Sequence, residues 1–276
     1  MPTSGTHDKA ARAKATRRQF LLGGAVAGVG AAAVIGLDSI LNRPDTPATA
    51  TPAAPEIATI HGGETVPFYG RHQAGIATTP QAHATLIALD LREGSDRGAL
   101  GRMMRLLSDD AARLTQGRAA LADSEPELAV APARLPVTFG LGPGFVARAG
   151  GTAPPWLAPL PPFTVDRLQP EFSDGDLLLQ IASDDPLTVS HTARMLLKDT
   201  RSFATVRWVQ RGFRRATGTE ASGTTMRNLF GQVDGTANVA PGTAEFDKVV
   251  WNTGSTDTAA WMAGGTSAVV RRIHMN

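Results

Sequence analysis

The 276-residue sequence contains no cysteine, and several familiar catalytic signatures are also missing. The lack of cysteine excludes disulfides, thiolate metal sites and thiol nucleophiles. The chain has neither a Gly-x-Ser-x-Gly nucleophile motif nor a Gly-x-x-x-x-Gly-Lys-Ser/Thr phosphate loop. Its six histidines form no His-x-x-x-His pair, so zinc binding has no support. Each histidine, including His274, is interpreted as structural or solvated rather than as a ligand.

Basic charge is scarce outside the beginning of the chain. The formal net charge is +2, but residues 1–50 hold six of the 27 Lys/Arg and three of the 25 Asp/Glu. Residues 51–276 therefore carry 21 basic and 22 acidic groups, a net charge of −1. Proteins that bind nucleic acid usually carry a basic face. We therefore expect no nucleic-acid partner.

Arg17 and Arg18 precede an apolar stretch in a pattern typical of an export signal. Residues 17–22 read RRQFLL, and residues 23–37 are almost entirely Gly, Ala, Val, Leu and Ile. A basic segment followed by a modest apolar segment indicates a secretory signal. The paired arginines resemble the twin-arginine signal, which directs the export of folded proteins. We expect a periplasmic, cell-envelope or extracellular protein that meets the membrane only during export.

A membrane anchor is the alternative interpretation of the same apolar stretch. Its length of roughly 18 residues is borderline for a membrane span, and its glycines weaken that reading. Residues 48–50 (ATA) offer a cleavage site, and residues 42–55 (NRPDTPATATPAAP) resemble a linker. We assign residues 1–50 to a twin-arginine signal peptide and linker. Because folded export often serves proteins loaded with a cofactor, this leader also favours a cofactor.

Residues 51–220 carry the pattern of a ferredoxin-like domain. Alternating or continuous apolar residues predict strands, and apolar spacings of three and four predict helices. The predicted elements are strands at 83–91, 136–146, 177–182 and 203–213, and helices at 96–116 and 186–201. Their order is β-α-β-β-α-β, an α+β arrangement with two helices on one face of an antiparallel sheet. A Gly-Pro-Gly turn is expected at 142–144, and residues 147–176 are expected to form a surface excursion.

Residues 221–276 look like the unfinished start of a second unit. Two further strands are predicted, at 245–251 and 265–275, without a helical pattern between them. Residues 231–238 (GQVDGTAN) place a single carboxylate between glycines. Alone, this stretch is an ordinary tight turn, since Gly tolerates positive φ and Asp hydrogen-bonds its own backbone.

Several separated stretches together resemble the dye-decolourising (DyP-type) haem peroxidases, especially the exported bacterial branch with deferrochelatase activity. They are residues 68–76 (FYGRHQAGI), 137–142 (VTFGLG), 160–163 (LPPF), 175–181 (GDLLLQI) and 227–238 (RNLFGQVDGTAN). The last includes the family's Gly-x-x-Asp-Gly pattern. The resemblance covers residues from about 57 onward.

The resemblance implies two ferredoxin-like halves in a dimeric α+β barrel-type architecture, with haem b bound mainly by the C-terminal half. It assigns Asp234 as the distal acid/base and Gly235, Thr236 and Ala237, with Asp234, to the cofactor contact. A carboxylate over the iron can take a proton from hydrogen peroxide and return it as the O–O bond breaks. The implied partners are hydrogen peroxide and an organic electron donor, and the resemblance is compatible with a homo-oligomer.

The family's iron-ligating histidine and distal arginine are expected beyond Asn276, so the chain resembles a C-terminally truncated member. His274 precedes the ligand segment and is not assigned to the iron. Weak or no stable haem binding is therefore expected of these 276 residues. Besides a peroxidase, two alternatives stand: a deferrochelatase that releases iron from haem, and an inactive fragment or partner-binding half-domain.

Overall fold

The computed structural model describes residues 62–221, 223–252 and 260–273. The described residues all belong to one compact unit. The predicted signal and linker therefore lie outside the described residues, as does His274. Within the described ranges, no helix is both long and apolar enough to cross a membrane.

Four strands and four α-helices make up the described fold. In chain order they are β1 (His83–Leu91), α1 (Arg97–Leu114), β2 (Val137–Leu141), α2 (Pro143–Arg148), β3 (Leu177–Ser183), α3 (Pro186–Thr200), β4 (Ala204–Phe213) and α4 (Ala244–Val250). Short 3-10 helices span Pro126–Ala129, Pro170–Phe172 and Ala260–Met262.

The four strands form one antiparallel sheet in the order β2-β3-β1-β4. β1 therefore lies between β3 and β4, and β2 and β4 are the sheet's edges within the described residues. With α1 and α3 as the two connecting helices, this is the ferredoxin-like order that the sequence predicts. The prediction of an α+β fold is confirmed.

Both long helices begin after an aspartate whose side chain accepts hydrogen bonds from backbone amides of the first helical turn. Asp96 accepts from the Ala99 amide at 2.7 Å, and Asp185 accepts from the amides of Leu187 and Thr188. These caps satisfy amides that have no partner within the helix. The core between the helices and the sheet holds, among others, Leu89, Leu100, Met103, Leu107, Leu179, Ile181 and Leu196, each at most 2% exposed.

The second predicted strand is too long, and the expected Gly-Pro-Gly turn is wrong. β2 ends at Leu141, and α2 begins at Pro143. Proline suits the first position of a helix because its fixed φ is helical and its missing N–H has no partner there. A Cβ on Gly144 would lie 1.9 Å from Asp176 Oδ1, so the carboxylate of Asp176 occupies the space beside this helix start.

The two strands predicted in the C-terminal part are also wrong. Residues 244–250 are the helix α4, which the Thr243 hydroxyl caps by accepting from the Phe246 amide at 3.2 Å. Residues 265–273 contain no strand. The short apolar runs resemble strands, but α4 buries only Phe246, so its pattern lacks the repeated apolar stripe of a longer helix.

Residues 68–76 lie along the free edge of β2. The side-chain amide of Gln73 accepts from Phe139 N and donates to Phe139 O, both at 2.9 Å. It thereby pairs with the edge strand as a neighbouring strand would. Thr138 Oγ1 donates to Ala74 O at 2.5 Å, and a Cβ on Gly75 would lie 2.2 Å from that hydroxyl.

Candidate functional site

An isolated β-bridge between Arg227 and Val233 closes a short hairpin in the C-terminal part of the chain. At its tip, Gly231 N donates to Asn228 O, and Asn228 N donates to Gln232 O, both at 2.9 Å. Gly231 has a φ of +81°, a conformation that glycine adopts without steric cost. Residues 226–238, which comprise this hairpin and the turn after it, are called the Asp-Gly hairpin.

The side chain of Asn228 organises the Asp-Gly hairpin from inside. Its Oδ1 accepts from the amides of Phe230 and Gln232 at 3.0 and 3.1 Å. Its Nδ2 donates to Gln232 Oε1 at 3.1 Å and to Asp234 Oδ2 at 3.3 Å. Sequence reasoning missed this residue. The available signal was an asparagine three positions before a glycine, a spacing typical of turns.

Asp234 is exposed at the end of the bridge. Its amide donates to Met226 O at 3.0 Å, which fixes the backbone beneath the carboxylate. Oδ2 receives the hydrogen bond from Asn228, whereas none of the described residues donates to Oδ1. One oxygen is therefore held, and the other is available to accept a proton from a small molecule.

The four site residues predicted from sequence are contiguous and accessible. Gly235 has a φ of +99°, and its carbonyl accepts from Asn238 N at 3.2 Å, so the chain turns directly after Asp234. Thr236 and Ala237 are exposed in this turn. A residue with a Cβ would be strained at Gly235.

Three large apolar side chains are exposed on the same hairpin as the carboxylate. Leu229, Phe230 and Val233 are 73%, 52% and 50% exposed. A Cβ placed on Gly231 would meet no atom within 4 Å, so the backbone is open there. Exposed apolar side chains in a cluster mark binding surfaces. Apolar contacts, open glycine backbone and one carboxylate fit one face of a haem.

Within the described ranges the histidines are His72, His83 and His191, and none of them hydrogen-bonds to this hairpin. His191 Nε2 pairs with Asp123 Oδ2 at 2.8 Å in the core. The same ranges contain no group of three His, Asp or Glu able to hold a metal ion. Arg227 donates to Gly231 O at 2.6 Å rather than to Asp234.

A second carboxylate site lies between α1 and α3. Burial raises the pKa of Asp199 to about 7, and the negative charge of Asp110 and a hydrogen bond with it act in the same direction. Asp199 Oδ2 is buried and meets no N–H or O–H donor. Protonation of Asp199 removes its repulsion with the negative charge of Asp110.

Comparison with known proteins identifies the family. Residues 73–214 match the family described as "Dyp-type peroxidase, N-terminal", and residues 225–276 match "Dyp-type peroxidase, C-terminal". The chain belongs to the Dyp-type peroxidase family. The resemblance seen in the sequence motifs is thereby confirmed.

Two curated relatives carry different names. The Deferrochelatase of Escherichia coli O6:K15:H31 is 35% identical over 261 residues, covering 89% of this chain and 60% of that protein. The Dye-decolorizing peroxidase of Thermobifida fusca is 34% identical over 278 residues, covering 96% of this chain and 64% of that protein. The chain thus spans about 60% of the length of the first of these relatives.

Solved structures of the family share the fold. The DyP-type peroxidase from Cellulomonas bogoriensis aligns with a TM-score of 0.69 at 50% identity, covering 74% of this chain and 56% of that chain. Ferric DtpA from Streptomyces lividans aligns with a TM-score of 0.67 at 41% identity, covering 74% and 55%. The family's fold therefore includes the four-stranded sheet described above.

Proposed function

We propose that the protein acts as a haem-dependent peroxidase that reduces hydrogen peroxide while oxidising dyes or other organic donors. The observation that carries this proposal is the exposed carboxylate of Asp234, of which one oxygen accepts from Asn228 and the other accepts from none of the described residues. Membership of the Dyp-type peroxidase family supports the same reaction class.

Haem b is the proposed cofactor, and when bound it supplies the redox-active iron at which peroxide is reduced. The exposed apolar side chains of Leu229, Phe230 and Val233, the open backbone at Gly231 and the turn at Gly235–Ala237 would hold one face of the porphyrin. Asp234 accepts a proton from hydrogen peroxide and returns it to the oxygen that leaves as water. Proton transfer by a positioned carboxylate typically accelerates a reaction by about 100-fold or more.

The experiment is a titration of the purified chain with haemin, followed by absorbance, with Leu229→Ser and Phe230→Ser together as the test variant. Removing two apolar contacts weakens binding, since each large apolar side chain contributes roughly 1.5–3 kcal/mol when buried. The control is Val165→Ser, which changes an apolar side chain 85% exposed in the excursion. Weak haemin binding by the parent agrees with the expectation for these 276 residues, whereas equal haemin affinity for the test variant and the parent would contradict the proposed cofactor face.

Iron release from haem is a second candidate, favoured by the relative named Deferrochelatase. It uses the same surface and differs in its product. Free protoporphyrin after incubation with haem identifies iron release, whereas an oxidised dye with intact haem identifies peroxidase activity. If haem-loaded protein forms neither product, the result favours an inactive fragment or a partner-binding half-domain.

We also propose that the twin-arginine pathway exports the protein to the periplasm, the cell envelope or the outside of the cell. In this proposal residues 1–50 are the leader, residues 51–220 the N-terminal domain and residues 221–276 the incomplete C-terminal haem-binding domain. The support is the RRQFLL stretch before an apolar segment. Replacing both Arg17 and Arg18 by Lys should retain the protein in the cytoplasm, as measured by cell fractionation. Arg12→Lys is the control, and unchanged export of the double variant would contradict the proposal.

A further inference from the structure

His72 and Gln73 face two different parts of the molecule from adjacent positions. Gln73 binds the backbone of β2 at Phe139 through two hydrogen bonds. The ring of His72 stacks on Trp251, with centroids 3.8 Å apart and planes 11° from parallel. Residues 68–76 therefore connect the sheet to the C-terminal part of the chain.

A hydrogen bond adds to the stacking. His72 Nδ1 lies 2.6 Å from Gly264 O. Because a carbonyl oxygen only accepts, Nδ1 carries the proton in this contact. Gly264 has a φ of +78°, and a Cβ there would lie 3.7 Å from the imidazole ring, so the glycine turn follows the ring closely. His72, Trp251 and Gly264 are called the His72 clasp.

The segment that His72 holds is itself cross-linked. Gly264 N donates to Asn252 O, and Asn252 N donates to Gly265 O, both at 2.8 Å. Phe246 of α4 is buried and packs edge-on against Trp251, with centroids 5.9 Å apart. Holding Trp251 and Gly264 therefore holds α4 as well.

The Asp-Gly hairpin depends on its two ends for its position. Within the described part of the chain, all its hydrogen bonds are internal. On one side, β4 ends at Phe213, and on the other, α4 begins at Ala244, six residues after Asn238. Six residues span at most about 20 Å, so a fixed α4 limits where the hairpin can move.

We propose that His72 is a positioning residue: it fastens α4 and the Gly264 turn to the sheet and so restricts the placement of the Asp-Gly hairpin. The clasp itself does not require the proposed function. Its consequence for haem binding by the hairpin rests on that function.

Two substitutions separate the two contacts of His72. His72→Phe keeps an aromatic ring for stacking on Trp251 but has no N–H for Gly264 O. His72→Asn keeps an amide donor near the Nδ1 position but loses the ring. His83→Asn, at the start of β1, is the matched control because it makes the same exchange outside the clasp.

The measurement is the distance distribution between two spin labels in the 276-residue chain. Since the chain has no cysteine, labels attach only at introduced sites. Leu229→Cys marks the hairpin tip, and Arg105→Cys marks the exposed side of α1. We expect one narrow peak in the parent and in His83→Asn, and a clearly broader distribution in both His72 variants. Unchanged width in both His72 variants would overturn the proposal.

Amide hydrogen exchange provides the second readout. Loss of one clasp contact should speed exchange at Asn252 and Gly264 roughly threefold to tenfold, the range for one net hydrogen bond, while β1 amides keep the parental rate. Equal acceleration in β1 would indicate general destabilisation and overturn the positioning role. Haemin titration of His72→Phe and His72→Asn, without the labelling cysteines, is the third measurement. We expect both variants to bind haemin more weakly than the parent. Broadened distances with parental haemin affinity would support the clasp and contradict the proposed haem site.

Discussion

Asn228 donates a hydrogen bond from Nδ2 to Oδ2 of Asp234 at 3.3 Å. The same amide group accepts from two backbone N–H groups of the hairpin tip through Oδ1. One side chain therefore sets both the shape of the tip and the position of the carboxylate. This coupling makes the hairpin's order a condition for the proposed proton transfer.

Replacing Asn228 should separate these two effects. Asn228→Ala removes every side-chain contact, so we expect the amides of Phe230 and Gln232 to lose protection from exchange. Asn228→Asp keeps an acceptor for these amides but places a second carboxylate beside Asp234, where like charges repel. We expect the hairpin tip of Asn228→Asp to stay folded at low pH and to open as the pH rises. NMR spectra recorded at several pH values measure this change. Ala and Asp variants that behave identically at every pH would contradict this assignment.

Asp234→Asn tests the proton carrier. In haem-loaded protein, we expect haem binding to persist and the peroxide step to slow about tenfold or more, within the range for general acid–base groups. Stopped-flow absorbance after mixing with hydrogen peroxide measures the rate. Asp109→Asn, at an exposed position on α1, is the control. A parental rate in Asp234→Asn would assign the proton transfer to another group.

Asp199 should make stability depend on pH. Burial, with the charge of Asp110, raises the pKa of Asp199 from 3.8 to about 7. Between these values the folded state binds the proton more tightly than the unfolded state, so stability falls as pH rises through this window and levels off above it. Asp199→Asn should remove this decline and be more stable than the parent at pH 8. Urea unfolding across the window measures it.

The matched control for this prediction is again Asp109→Asn, which should retain the parental decline. If Asp199→Asn and the parent lose stability equally between acidic and neutral pH, protonation of Asp199 does not stabilise the folded state.

Gly75→Ala should destabilise the fold. The new Cβ would lie 2.2 Å from Thr138 Oγ1, and Gly75 has a φ of +96°. Such backbone strain costs roughly 1–3 kcal/mol, so we expect the melting temperature to fall by several degrees. Gly94→Ala is the control because its Cβ would meet no atom within 4 Å. Equal melting temperatures for the two variants would show that residues 68–76 move away from the sheet without cost.

The ferredoxin-like part was predictable because its elements are long and strongly patterned. β1 and α3 match the predicted strand and helix closely, since β1 buries Ile87, Leu89 and Leu91 and α3 buries Val189, Met195 and Leu196. The C-terminal predictions at 245–251 and 265–275 were wrong because these runs are short and their burial depends on distant residues. Phe246, for example, is buried against Trp251, which in turn stacks on His72.

The site was predictable only in part. Asp234 and Gly235 carry a recognisable motif, and the positive φ of Gly235 agrees with the need for glycine. Asn228 was missed because its role depends on four side-chain hydrogen bonds within one hairpin, which the residue order alone does not specify.

By itself, the amino-acid sequence determined the order of the four strands and two long helices within residues 83–213, the resemblance to the family and the Asp-Gly motif. These follow from local periodicity, capping residues and motif spacing, all of which act over short stretches of chain. Only the tertiary structure decided that Gln73 hydrogen-bonds to the edge strand β2 and that His72 stacks on Trp251 and hydrogen-bonds to Gly264. Those contacts join residues up to 192 positions apart, and such pairing is fixed by packing geometry rather than by local pattern.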